Sequence, residues 1–81
     1  MSFKHIIDHI NHEDNITHTI GAFMKIVEPI KWNNGELNFS EMAELAELNT
    51  QSLTIILALV GYEGLELLDK INDIRKCQFK Y

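Results

Sequence analysis

Cysteine, proline and glycine are scarce in this chain of 81 residues, which contains one cysteine, one proline and four glycines. The single thiol, on Cys77, excludes an internal disulfide, and no apolar run approaches the ~20 residues that span a membrane. Because no apolar signal-peptide run follows Met1, we expect a cytoplasmic chain without membrane insertion. The length suits one domain, and 46% apolar against 23% charged residues excludes a disordered chain.

Lysine and arginine are absent from residues 32–69. That segment nevertheless holds seven acidic residues, namely Glu36, Glu41, Glu44, Glu47, Glu63, Glu66 and Asp69. Residues 1–31 contain three cations against four acidic residues, and residues 70–81 contain four cations against one. The middle of the chain is therefore acidic and lacks the cations that binding to nucleic acid requires.

The most apolar stretch is Leu53–Val60, in which seven of eight residues are apolar. A helix that is apolar on nearly all sides is normally buried, so this stretch predicts the central helix of the domain. Asn49 is placed to cap the start of that helix, and Gly61 to end it in the left-handed conformation.

Four further helices are predicted from apolar residues spaced three and four apart. The first, with Ser2 as its N-cap, has one apolar face made of Phe3, Ile6, Ile7 and Ile10. The second begins near Asp14 or Asn15 and ends at Pro29. Its inward stripe consists of Ile16, Ile20, Phe23 and Val27, and whether Met24 belongs to the stripe is left open. The third covers residues 40–48, with Met42, Leu45, Ala46 and Leu48 inward and Glu41, Glu44 and Glu47 outward. The last covers residues 63–76, with Leu67, Leu68, Ile71 and Ile74 inward. We therefore predict a mostly α fold of about five short helices.

Residues 30–39 allow two interpretations. Apolar and polar residues alternate about Asn34-Gly35, the preferred pair for a two-residue hairpin turn, which favours a small β-hairpin with Trp32 and Phe39 on its apolar face. The alternative is an ordered loop, in which a hydrophobic staple and a capping box start the next helix from Leu37, Asn38, Glu41 and Met42.

Residues 40–65 resemble the helix-turn-helix of bacterial and phage winged-helix regulators. The similarity lies in Met42-Ala43 of the first helix, Leu48 at the turn, Ser52-Leu53 and Ile56-Leu57 of the second helix, and Gly64-Leu65 beyond it. The resemblance implies a helix-turn-helix centre and, as a function, DNA binding. Two departures are that Glu47 stands where the family has a turn glycine, and that another helical pattern follows instead of a wing.

The chemistry of the second helix argues against DNA as the ligand. Its outer face offers Gln51 and Thr54, and no cation lies between Lys31 and Lys70 to meet phosphate. When the core side of this helix is buried, Ile55 and Leu59 remain on its outer face. We expect these two residues to form the centre of a protein-binding patch. Its predicted rim consists of Glu47, Gln51 and Thr54, and its partner is another protein or a second copy.

Three histidines, His5, His9 and His12, fall at helical spacing in the first helix. Imidazoles one turn apart can chelate zinc or nickel, but a solvated polar face explains the same pattern. We predict no bound metal and no cofactor. No phosphate-binding loop, nucleophile with a base, or isolated pair of carboxylates is present, so we expect no enzymatic activity.

Residue usage indicates the origin of the chain better than its activity. Residues with AT-rich codons outnumber glycine, alanine, arginine and proline, which favours a low-GC genome such as that of a phage. We therefore expect a small acidic regulator or inhibitor that acts by protein binding in the cytoplasm, which is the host cytoplasm if a phage encodes it. It would antagonise a host factor or a defence system, or act as an antiholin on the timing of lysis. The alternative function is a helix-turn-helix transcriptional regulator.

Overall fold

The computed structural model describes residues 3–78, which form five α-helices and no β-strand. The helices are α1 (Lys4–His12), α2 (Ile16–Trp32), α3 (Phe39–Leu45), α4 (Thr50–Val60) and α5 (Tyr62–Gln78). The mostly α prediction is therefore confirmed. Ser2, the predicted N-cap of the first helix, lies outside the described residues.

Helix α4 occupies the centre, as the apolar stretch predicts, because it packs against both long helices, α2 and α5. Leu53, Ile56, Leu57 and Val60 on this helix are all buried. The rest of the core comes from α1, α2, α3 and α5, including Phe3, Ile7, Phe23, Ile26, Leu45, Leu67 and Ile71. Every helix thus contributes one apolar face to a single core.

The predicted β-hairpin at residues 30–39 is wrong. Helix α2 passes through Pro29 and ends at Trp32, and the two residues of the expected hairpin turn terminate it. Asn34 adopts a φ of 55°, and the amides of Asn34 and Gly35 donate to the carbonyls of Lys31 and Ile30. This is a Schellman motif with asparagine in the left-handed position, so Asn-Gly supplies positive φ for a helix end instead of a hairpin.

The loop interpretation of the same segment is confirmed at the start of α3. The Asn38 side chain accepts from the Glu41 amide at 2.8 Å, and the Glu41 carboxylate accepts from the Asn38 amide at 3.2 Å. These two bonds make the predicted capping box. Because Glu41 turns back toward the N-cap, its side chain is buried, and the prediction that it points outward is wrong.

The apolar stripe predicted for α2 is only partly correct. Phe23 and Val27 are buried as expected, together with Ile26 and Ile30. Ile16, Ile20 and Met24 instead lie exposed on the flank of the helix. The buried face is therefore centred on Phe23, Ile26 and Ile30, and a row of apolar side chains is left outside the core.

Helices α4 and α5 meet through a single residue, Gly61, whose φ of 100° and ψ of −143° only glycine adopts readily. Gly61 ends α4 as predicted, but in an extended mirror-image conformation and not in the left-handed helical one. Gly64 lies against the end of α4, since a Cβ built on it would approach the Leu57 carbonyl oxygen to 2.0 Å. The two helices therefore fold back on each other at close range.

Candidate functional site

The five residues predicted to bind a partner all lie on the turn before α4 or on its outer side. Glu47, Gln51 and Thr54 are exposed, and the Thr54 hydroxyl donates to the Thr50 carbonyl at 2.8 Å. Leu59 is exposed, whereas Ile55 is half-buried and packs against the core. The predicted patch therefore has one freely accessible apolar side chain and one that also stabilises the fold.

Two residues of α5 extend the accessible apolar area beyond Leu59. Leu59 is 46% exposed, Tyr62 is 74% exposed and Leu65 is 64% exposed. Three residues of chain span at most ~11 Å, so the Cα atoms of Leu59 and Tyr62 lie within that distance, and Tyr62 and Leu65 are one turn apart on α5. We call Leu59, Tyr62 and Leu65 the corner surface, because they lie where α4 turns into α5.

Acidic side chains border the corner surface. Glu66 and Asp69 are exposed, and each lies four residues after Tyr62 or Leu65, on the same side of α5. Glu63, in the first turn of α5, is half-buried with its side chain against Gly35 of the α2–α3 loop, so Glu66 and Asp69 make up the acidic border. An apolar centre with a charged rim is the usual composition of a protein interface.

The helix-turn-helix part of the structure is α3, the turn over residues 46–49, and α4. Three consecutive carbonyl groups of the turn accept hydrogen bonds from side chains of other helices. Asn11 Nδ2 donates to Glu47 at 3.0 Å, Arg75 Nε donates to Ala46 at 3.1 Å, and Arg75 Nη2 donates to Leu48. The turn is therefore fixed by α1 and α5.

The fold brings two cations to this turn that are distant from it in the sequence. Arg75 and Lys76 line an open groove of about 650 Å³ together with residues 46–50, at the start of α4. The guanidinium of Arg75 is engaged by the turn carbonyls, which leaves Lys76 as the accessible cation of that groove. In the sequence, both cations are recognisable only as members of the basic segment at residues 70–81.

Two aromatic residues near the α2–α3 loop are also accessible. Trp32 is 84% exposed, at the edge of a shallow groove of about 440 Å³ that Lys25, Glu28, Pro29 and Asn33 complete. Phe39 lines a separate groove of about 400 Å³ with Ala43, Asp73, Ile74 and Cys77. Both aromatic side chains were predicted to pack inward from a hairpin, and the absence of that hairpin leaves them at the surface.

The histidine array lies on α1, which extends to His12. The ring nitrogen Nδ1 of His12 lies 2.7 Å from the Asp8 carbonyl, a contact in which the imidazole donates. Within residues 3–78, no group of three or more His, Cys, Asp or Glu side chains is close enough together to hold a metal ion.

Comparisons with protein-family models, with curated proteins and with solved structures give no match. The resemblance to winged-helix regulators therefore stays a prediction. Among residues 3–78, no helix is both long enough and apolar enough to cross a membrane.

Tyr62 and Leu65 were not predicted from the sequence to be candidate binding residues. Their signal was present, because Tyr62, Leu65 and Asp69 share the side of the last helix opposite Leu67 and Ile71. Apolar side chains on the side of a helix that faces away from the core are not buried by the domain itself. Their presence there indicates a surface available for binding.

Proposed function

We propose that this chain acts by binding another protein through the corner surface. The observation that carries the proposal is the exposure of Leu59, Tyr62 and Leu65 where α4 turns into α5. A contiguous group of apolar side chains at the surface, with a polar border, is typical of a protein interaction site. Gln51, Thr54 and Glu47, with the accessible edge of Ile55, extend the proposed contact along α4.

The charge of this region indicates the kind of partner. Glu66 and Asp69 border the corner surface, and no cation occurs in the chain between Lys31 and Lys70. A partner with a basic rim around an apolar pocket would complement this arrangement, and the opposite charges would accelerate association. Tyrosine and leucine would fill the pocket, since aromatic anchors at the centre of an interface contribute most of the binding energy.

Substitution of Leu59 by lysine tests the proposal. Leu59 is exposed, so Leu59→Lys should leave the melting temperature within a few degrees, whereas a lysine in the centre of an apolar contact should weaken binding at least tenfold. Ile55 is unsuitable for this purpose, because it packs against the core and its substitution would also lower stability.

Ile20→Lys provides the matched control. Ile20 is 53% exposed on α2, so this change also places a lysine at an accessible apolar position. Wild-type, Leu59→Lys and Ile20→Lys proteins would be immobilised and exposed to an extract of the source cell. The proteins that each of them retains would then be quantified by mass spectrometry. The proposal predicts a protein that the wild type and Ile20→Lys retain and Leu59→Lys loses. Equal retention by all three would contradict it.

In its cellular role we propose a regulator or inhibitor that blocks a surface of its partner. The acidic middle segment supports this role, and the low-GC residue usage supports a phage origin. A host factor, a defence protein or a component of lysis would each be a suitable target. Identification of the retained protein distinguishes these targets.

The second candidate function, DNA binding, is favoured by one observation. Lys76 lines the groove at the start of α4, the helix that would enter the major groove. Against it, the outer face of α4 presents Leu59 and Ala58 and no cation. We expect no complex with duplex DNA at micromolar protein and ~150 mM salt in a mobility-shift assay. A complex that weakens steeply with salt, and that Lys76→Ala reduces, would support DNA binding and contradict the proposal of protein binding.

A further inference from the structure

Helix α2 has an apolar row that the described part of the chain does not cover. Ile16, Ile20 and Met24 are spaced four residues apart, so they form one ridge along the helix, and all three are exposed. The ridge lies beside the buried face that Phe23 and Val27 share, and is separate from the corner surface on α4 and α5. It covers about two turns of helix.

Gly21 lies beside this ridge and has no evident role in the monomer. A Cβ built on it meets no atom of the described residues within 4 Å, and its backbone is helical, with no positive φ. Glycine in the interior of a helix is less favourable than alanine, because it loses more backbone freedom on folding. Thr17, one turn earlier, is also small and exposed, and a row of small residues next to a ridge is where the ridge of another helix can enter; we call this row the Thr17–Gly21 groove.

The helix segment that carries the ridge is less acidic than the middle of the chain. No acidic residue lies between Asp14 and Glu28, whereas residues 32–69 hold seven. A second copy of an acidic chain is repelled by its acidic surfaces, whereas residues 15–27 carry no carboxylate that would repel it. The face is therefore suited to self-association.

We propose that α2 pairs in antiparallel orientation with α2 of a second copy, with Ile20 at the twofold axis. In this arrangement Ile16 of one copy lies against Met24 of the other, and each ridge enters the Thr17–Gly21 groove of its partner. A twofold interface of this type is isologous, so one exposed ridge covers its own equivalent. The proposal does not depend on the corner surface, which shares no residue with the ridge.

Charge selects the antiparallel orientation. The turn before α2 contains Glu13 and Asp14, and the second half of the helix contains Lys25 and Lys31 against Glu28. Antiparallel pairing brings the acidic end of one copy beside Lys25 of the other. Parallel pairing would place Asp14 against Asp14 and Lys25 against Lys25, which is repulsive.

The dimer is expected to be reversible. Stable complexes bury ~800 Å² on each partner, and one pair of helices with three apolar side chains each contributes less than that. Half-dimerisation should therefore occur at about 10–100 μM protein.

Sedimentation velocity between ~10 μM and ~1 mM measures this equilibrium. The wild-type chain should shift from monomer to dimer over the range, and Ile20→Lys should stay monomeric. The control is Leu59→Lys, an equally exposed apolar position on α4, which should dimerise as the wild type does. A wild-type chain that is monomeric throughout, or dimerisation that Leu59→Lys abolishes and Ile20→Lys does not, would overturn the proposal.

Gly21→Gln tests the close approach of the helices. Glutamine is a good helix former and position 21 is open, so the variant should be at least as stable as the wild type when measured on the monomer. Its bulk fills the Thr17–Gly21 groove, so the dimer should weaken at least tenfold. A dimer of unchanged affinity would rule out packing of the ridge into that groove.

A charge exchange tests the orientation. Lys25→Glu should weaken the dimer, and Asp14→Lys combined with Lys25→Glu should restore it, because the attractive pair is re-formed with its signs reversed. Lys70→Glu on α5 controls for the change in net charge and should have a smaller effect than Lys25→Glu. A dimer that Lys25→Glu weakens no more than Lys70→Glu does would exclude the antiparallel arrangement.

Discussion

Gly64 of α5 lies so close to the carbonyl oxygen of Leu57 that a Cβ atom on it would be 2.0 Å away. The atom it would meet belongs to the backbone of the central helix, which cannot move aside as a flexible side chain could. The return of the chain at Gly61 brings α5 to this distance, and it also places Leu59 and Tyr62 at the same corner. The close contact between α4 and α5 therefore positions the proposed binding surface.

We predict that Gly64→Ala lowers the free energy of unfolding by about 3 kcal/mol, because the methyl group forces α4 and α5 apart. Gly21→Ala is the matched control, since it makes the same change in a helix where a Cβ has open space. That variant should gain about 0.5–1 kcal/mol from helix propensity. Urea denaturation of both at low micromolar protein checks the difference. Similar stabilities for the two variants would disprove the close contact.

The sequence predicted the helices better than it predicted their ends. Apolar spacing located all five helices and identified Leu53–Val60 as the centre, because burial of an apolar face determines most of a helix's position. The error at residues 30–39 arose because Asn34-Gly35 supplies positive φ equally well to a hairpin and to a helix end. Local sequence does not distinguish these uses. The packing of α2 on α4 does, because it buries Ile30 on the helical face.

Pro29 provides a test of that helix end. It lies inside α2 and lacks an N–H, so the Lys25 carbonyl receives no backbone hydrogen bond from it. We predict that Pro29→Ala raises the free energy of unfolding by about 1–3 kcal/mol. Glu28→Ala, at the adjacent exposed position, should change it by less than about 0.5 kcal/mol. Equal effects of the two substitutions in thermal and urea unfolding would argue that α2 does not continue through residue 29.

The binding surface could be predicted only in part. Leu59 followed from the surplus of apolar residues in the central helix. Tyr62 and Leu65 did not, because which side of α5 is exposed depends on the direction in which the chain leaves Gly61. Trp32 was assigned to the inner face of a hairpin, and its exposure follows from the end of α2. Surface residues depend on tertiary geometry more strongly than core residues do.

The histidines of α1 give a further prediction. His5, His9 and His12 are on the wet side of the helix, and no third or fourth ligand from another element approaches them within residues 3–78. We therefore predict that protein purified without a histidine tag contains no stoichiometric zinc or nickel, and that EDTA leaves the melting temperature unchanged. Elemental analysis checks the first statement. A metal content near one per chain that is lost in His9→Ala would contradict it.

Arg75 gives the last prediction, because it holds the turn between α3 and α4. Its guanidinium donates to the carbonyls of Ala46 and Leu48, two residues that are nearly inaccessible to water. Removal of the guanidinium leaves these carbonyls with no equivalent donor, so Arg75→Ala should lower the free energy of unfolding by about 2–3 kcal/mol. Arg75→Lys should lose part of that amount, since an ammonium group cannot serve two divergent acceptors as a planar guanidinium does.

Lys76→Ala is the control for this substitution, because it removes the neighbouring cation from an exposed position. Its unfolding free energy should stay within about 0.5 kcal/mol of the wild type. Hydrogen exchange adds a local measurement, since the amides of Ser52 and Leu53 are bonded to Asn49 and should exchange faster in Arg75→Ala once the turn is loosened. If Arg75→Ala and Lys76→Ala were equally stable, the contribution of Arg75 would be its charge alone, and the turn would be maintained by Asn11 and the core.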